Sequence, residues 1–182
     1  YVFPALKTVA GGVFDVESGE KRVFPSIQTL SGTTFSVSSG GELDLPFLTS
    51  LTGSVTIQTG GVLNAPNLTV LTSSVVTIDG TGQFKTGGLT NIDNTRFLIS
   101  GGAVFSEVVA TSYDVTGISG NPVSVVSVSG AGSRIDLSSV ETLSAGYTRD
   151  YWAVSTQVFE ARDGGIIDFS GLKGIDNPAP ND

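Results

Sequence analysis

A chain of 182 residues that is 39% hydrophobic and only 14% charged holds enough apolar material for one continuous core and too little charge for a disordered polyelectrolyte. A formal net charge of −8, with nine Lys and Arg residues, excludes nucleic acid as the natural partner. Cys and His are both absent, which excludes disulfides, thiolate and imidazole metal sites, thiol nucleophiles and a Ser-His-Asp triad.

The first predicted unit opens on Phe3-Pro4-Ala5-Leu6-Lys7-Thr8-Val9, which returns 21 residues later as Phe24-Pro25-Ser26-Ile27-Gln28-Thr29-Leu30. Pro4, Pro25, Pro46 and Pro66 are spaced 21, 21 and 20 residues apart. Two positions after each stands an aliphatic residue, Leu6, Ile27, Leu48 and Leu68, and the series continues without Pro at Leu89, Val109, Val140 and Leu172. Three residues on, a second aliphatic column runs through Val9, Leu30, Leu51, Leu71, Ile92, Leu143 and Ile175. Gly88-Leu89-Thr90-Asn91-Ile92-Asp93-Asn94 matches Gly171-Leu172-Lys173-Gly174-Ile175-Asp176-Asn177, so the late units belong to the same series of eight.

Each unit then changes period. Phe35-Ser36-Val37-Ser38, Val55-Thr56-Ile57-Gln58, Val76-Thr77-Ile78-Asp79 and Val126-Ser127-Val128-Ser129 alternate strictly, as a strand with one buried face does. A glycine turn follows, for example Gly40-Gly41 or Gly60-Gly61, where the backbone takes positive φ. A second short strand comes next, with Leu43, Leu63, Phe84, Val104, Ile135 and Ile167 as its inward residues.

Two strands and a bend in about 21 residues describe one coil of a solenoid, which buries its apolar edge only by stacking on its copies. A leucine-rich-repeat horseshoe would need an Asn column and room for a helix, and a left-handed hexapeptide helix would be built from sixes. The expected fold is therefore all-β, a right-handed parallel β-helix (solenoid) of about eight coils over residues 1–176, with a linker-like tail at 177–182. Gly132-Ser133-Arg134-Ile135-Asp136-Leu137-Ser138-Ser139-Val140 and Gly164-Gly165-Ile166-Ile167-Asp168-Phe169-Ser170-Gly171-Leu172 resemble the units of β-solenoid arrays in very large bacterial surface and exported proteins, which read GGxIDLSxLxxL. That resemblance implies a secreted or cell-surface location. With Tyr1 already inside a repeat, flanking domains of the same chain are expected partners, and no apolar run is long enough for a membrane span.

The spacing of unit starts stretches to 31 between Val109 and Val140 and to 32 between Val140 and Leu172, so two consecutive units carry about ten extra residues each. The insertions, about 110–122 and 145–157, both follow the second aliphatic column and should leave one corner side by side. They hold the single Trp and three of the four Tyr. Tyr113, Tyr147, Tyr151 and Trp152 could stack on a sugar ring, with Asp114, Asn121, Arg149 and Asp150 bonding hydroxyls, so a polysaccharide or cell-surface glycan is the expected ligand. The competing reading folds these aromatics over the flank to cover apolar surface.

Catalysis would have to rest on carboxylates, Tyr, Lys or Arg, and the residues call for no cofactor and no metal. Asp136 and Asp168 fall on equivalent outward positions of adjacent units, with Asp44 further up, so a polysaccharide lyase or glycoside hydrolase, or the non-catalytic carbohydrate-binding domain of one, is the alternative. Repeat equivalence accounts for these carboxylates without catalysis, and no basic cluster exists to hold an acidic polymer. The primary expectation is a non-enzymatic structural or adhesive module. A flat T-x-T ice-binding array and a G-G-x-G-x-D calcium array are both missing, and Asn67-Leu68-Thr69 matches a glycosylation sequon by pattern only.

Overall fold

The computed structural model describes residues 5–120, 122–146 and 156–176. Among them there is no helix. The strands in chain order are β1 (Thr8–Ala10), β2 (Val13–Val16), β3 (Lys21–Val23), β4 (Thr29–Val37), β5 (Glu42–Asp44), β6 (Ser50–Ile57), β7 (Val62–Ala65), β8 (Val70–Leu71), β9 (Val75–Asp79), β10 (Gln83–Thr86), β11 (Arg96–Ser100), β12 (Val104–Phe105), β13 (Ser112–Asp114), β14 (Val123–Ser129), β15 (Arg134–Asp136), β16 (Thr142–Ser144), β17 (Gln157–Arg162), β18 (Ile166–Asp168) and β19 (Gly174–Asp176). Every pairing among them is parallel.

The repeated phrases explain this arrangement, because copies of one phrase stack on each other. The long sheet runs β1-β4-β6-β9-β11-β14-β17, with β2 also on β4 and β8 on β6. A second sheet runs β10-β7-β5-β3, and two three-stranded sheets run β12-β15-β18 and β13-β16-β19. Between visits to the long sheet the chain crosses to another sheet, so each repeat adds one strand to each face it touches. The second aliphatic column becomes a line of register partners, Val9↔Leu30, Leu30↔Leu51 and Leu51↔Leu71. The alternating stretches do the same through Phe35↔Val55, Val55↔Val76, Val76↔Phe97 and Phe97↔Val126.

Both aliphatic columns are buried through the middle of the stack, at Ile27, Leu48, Leu68 and Leu89 and at Leu30, Leu51, Leu71 and Ile92. Rings stack along the core as well, Phe14 on Phe35 at 5.2 Å and Phe84 on Phe105 at 5.8 Å. Pro46 and Pro66 fit the second position of corner turns, where a fixed φ is an advantage: Leu48 N–H bonds Leu45 C=O across Pro46, and Leu68 N–H bonds Ala65 C=O across Pro66. No helix among the described residues is long and apolar enough to cross a membrane.

Two inward assignments shift by one residue. Val104 is 56% exposed and its neighbour Phe105 is buried in register with Ile135. Two adjacent apolar residues leave alternation ambiguous, and the larger ring buries more area. Val109, expected to open a unit, is 52% exposed; the chain instead turns Val108 and Ala110 inward. Val108 bridges Leu89, and the pairing of Tyr113 with Leu143 puts Ala110 level with Val140.

The core also holds polar side chains that periodicity does not reveal. Thr33, Ser74 and Thr95 are buried. Ser74 Oγ accepts the Gly53 N–H at 3.1 Å and donates to Thr72 C=O at 2.8 Å, while Thr95 Oγ1 donates to Leu71 C=O at 2.8 Å. Thr33 Oγ1 has no partner among the described residues.

Candidate functional site

The eight residues expected to bind a ligand separate into three groups. Tyr113 belongs to the core and not to an exposed patch. It sits on β13 in register with Leu143, fully buried, with its ring edge-on to Phe97 at 6.4 Å and to Phe159 at 6.5 Å. Its hydroxyl donates to the Thr95 carbonyl, which satisfies the one polar atom the ring carries inward. Burial pushes the phenol pKa far up, the nearby Asp93 carboxylate adds to the shift, and Arg96 opposes it.

Asp114 follows on the same strand and is occupied with its own backbone. Its Oδ1 accepts the Thr116 N–H at 2.8 Å, and its carbonyl accepts the Asn94 N–H at 2.7 Å. Asn121, Tyr147, Arg149, Asp150, Tyr151 and Trp152 lie outside the described residues.

The first insertion is an additional corner. Regular corners late in the chain read Asp136-Leu137-Ser138-Ser139-Val140 and Asp168-Phe169-Ser170-Gly171-Leu172. In each, the Asp carboxylate accepts the N–H two residues on, at 3.0 Å for Ser138 and 2.9 Å for Ser170. In each, the last residue bonds back to the second, Val140 N–H to Leu137 C=O and Leu172 N–H to Phe169 C=O. Asp114-Val115-Thr116-Gly117-Ile118 repeats the pattern bond for bond, since Ile118 N–H meets Val115 C=O at 3.0 Å. Val115 and Ile118 are buried, so this segment extends the core. Its signal in the sequence is the Asp-apolar-Ser/Thr-x-apolar spacing at 114–118, which the proline-based register passes over. Ala110–Asp114 accordingly belongs to the regular ladder, and the extra chain begins at Val115.

Both insertions leave after the same column, at Tyr113 and Leu143, and their described roots meet. An ideal Cβ on Gly146 would lie 2.6 Å from Thr116 Cγ2, so only glycine lets the second root pass this close to the first. On the return side, Thr156 N–H bonds Gly120 C=O at 3.0 Å and Val123 N–H bonds Thr156 C=O at 2.8 Å. Gln157 Nε2 donates to Val115 C=O at 2.5 Å and to Ile118 C=O at 2.9 Å.

The stacked carboxylates are committed to structural contacts. Asp136 and Asp168 are register partners, as the repeat requires. Asp168 accepts the Ser170 N–H and an Arg134 guanidinium N–H. The Ser170 backbone and hydroxyl bonds, followed by Arg134, hold its carboxyl below the ordinary range. Asp44 Oδ1 accepts from Asn64 Nδ2 at 3.1 Å and its Oδ2 lies 3.0 Å from Lys21 Nζ. Among the described residues no three carboxylates converge in a way that could hold a metal ion.

No family model matches this chain, and neither does any curated protein or solved structure.

Proposed function

We propose that the chain is a right-handed parallel β-helix of about eight coils, serving as a non-enzymatic structural or adhesive module of an exported bacterial surface protein. The right hand is the one that parallel strand crossovers adopt almost without exception. The observation that carries the structural role is how polar side chains of adjacent repeats are spent on each other. Asp79 takes the hydroxyls of Thr59 at 3.3 Å and Ser100 at 2.7 Å. Lys21 meets Glu42 at 2.6 Å, and Ser127 meets Glu160 at 3.0 Å. A surface whose carboxylates and cations close ladders between repeats is suited to holding a rod in shape. It leaves few groups convergent on a substrate.

The adhesive part of the proposal now rests on Tyr147, Arg149, Asp150, Tyr151 and Trp152, because Tyr113 and Asp114 serve the fold. Tyr147-Thr148-Arg149-Asp150-Tyr151-Trp152 combines flat rings with hydrogen-bonding groups, the composition that sugar-binding surfaces use. The test is a glycan array probed with the folded domain, followed by Trp152→Ala. Retention of a glycan, lost by at least about tenfold in the variant with an unchanged melting temperature, is the expected result, since one stacked ring is worth roughly a kcal/mol or more. If no glycan is retained and Trp152→Ala lowers stability by about 3 kcal/mol, the ring covers core and the adhesive reading is wrong.

A further inference from the structure

We infer that Gln157 is a side-chain latch that joins the extra corner at 114–118 to the returning root of the second insertion. Gln157 is the first residue of β17, where the chain returns from the second insertion to the long sheet, in register with Val123, where it returns from the first. Both hydrogens of its amide nitrogen are used. One goes to the Val115 carbonyl and the other to the Ile118 carbonyl, the two ends of the corner turn. Both partners are acceptors, so only a donor fits between them, and the amide orientation follows from that chemistry.

Beside the latch, main-chain bonds join the returning segments of the two insertions, Thr156 N–H to Gly120 C=O and Val123 N–H to Thr156 C=O. The turn interior is otherwise small, since Val115 and Ile118 are its buried side chains. Asp93 and Asn94 hold the opposite flank, where Asp93 Oδ1 accepts the Asp114 N–H and Asn94 Oδ1 accepts the Gly117 N–H. The corner is thus gripped from the preceding repeat by two side chains and from the following repeat by one. This latch is independent of whether the aromatic segment meets a glycan, and its test uses no ligand.

The experiment is amide hydrogen exchange on the whole chain, comparing the parent with Gln157→Met and Gln157→Glu. Met keeps length and bulk but donates nothing; Glu at neutral pH presents only acceptors to two carbonyls. Both variants should lose at least about tenfold protection at Ile118, Val123 and Thr156, while ladder amides of β11 keep theirs. Protection in Gln157→Glu should return in part as pH falls below about 4.3, where the protonated carboxyl regains one donor. Parent-like protection in either variant at neutral pH overturns the latch. A loss shared equally by β11 overturns it too, because Gln157 would then support the whole stack and not this junction.

Discussion

Tyr113 joins an apolar ring to a single hydroxyl, and its place in the core uses both. The ring fills the Leu143 column, edge-on to Phe97 and Phe159, and the hydroxyl finds the Thr95 carbonyl. Tyr113→Phe keeps the ring and removes the bond, which should cost roughly 1 kcal/mol at neutral pH. The phenol pKa is raised in the folded state, while in the unfolded chain a tyrosine ionises near about pH 10. The hydroxyl's contribution is therefore complete below that pH and declines as pH rises above it, because only the unfolded state gains by ionising. Urea unfolding of parent and variant at pH 7 and near pH 11 should show the stability gap narrowing, the remaining tyrosines cancelling in the difference. A gap that stays constant would place the phenol in solvent. Its place in the core is hidden in the sequence for a traceable reason. Starting the unit at Val109 puts Tyr113 one step outside the second aliphatic column, whereas starting it at Ala110 puts Tyr113 inside. Three successive apolar residues, Val108, Val109 and Ala110, do not settle that choice by periodicity, and only the pairing with Leu89 and Leu143 does.

At the level of the corner, the single spacing of 20 among spacings of 21 has a location. Leu30 pairs with Leu51 and Thr33 with Gly53, so Ser31 and Gly32 on β4 face Thr52 alone on β6. Other repeats turn this corner with a left-handed residue, Gly32 at φ 59°, Ser73 at φ 48° and Asn94 at φ 55°. The shortened corner has no such residue to spare, and Gly53 takes φ 140° where its neighbours have Thr33 and Ser74. An ideal Cβ on Gly53 would stand 2.0 Å from the Thr33 carbonyl oxygen and 2.7 Å from its nitrogen, both main-chain atoms that cannot swing aside. Gly53→Ala should therefore destabilise by about 3 kcal/mol, read as a lower urea midpoint at unchanged slope. A melt equal to the parent's would mean that the corner relaxes freely. The missing residue was legible in the proline spacing, but its corner was not, because each repeat has more than one bend that could absorb a deletion. The Asp-capped corners show the opposite case. Asp114-Val115-Thr116-Gly117-Ile118 is legible in principle, and it is hidden when all of 110–122 is taken as insertion.

Across the whole stack, stability should be graded and not uniform. In a linear repeat array each unit contributes its own term and an interface with each neighbour, so units flanked on both sides hold most tightly. The strands β6 and β9 have such neighbours, and Leu51, Val55, Ile57, Val76 and Ile78 are wholly buried. Toward β2 the packing thins: Val13 is 71% exposed, and Leu6, Val9 and Phe14 are only partly buried. Arg22 there stands in register with Leu43, in a column that is apolar in every following repeat, and turns to Glu20 at 2.7 Å. Toward β18 and β19 the same thinning is seen, with Ile175 64% exposed in the column that buries Leu143. Hydrogen exchange on this chain should find the amides of β6 and β9 opening only with global unfolding. Those of β2 and β18 should open locally, at least about tenfold faster. The gradient should persist in the presence of salt, since it comes from apolar interfaces and not from the exposed pairs of Lys21 with Glu42 or Arg22 with Glu20. Equal protection from β2 to β18 would contradict it, and would mean that the interfaces between repeats are strong enough to make the array unfold as one unit.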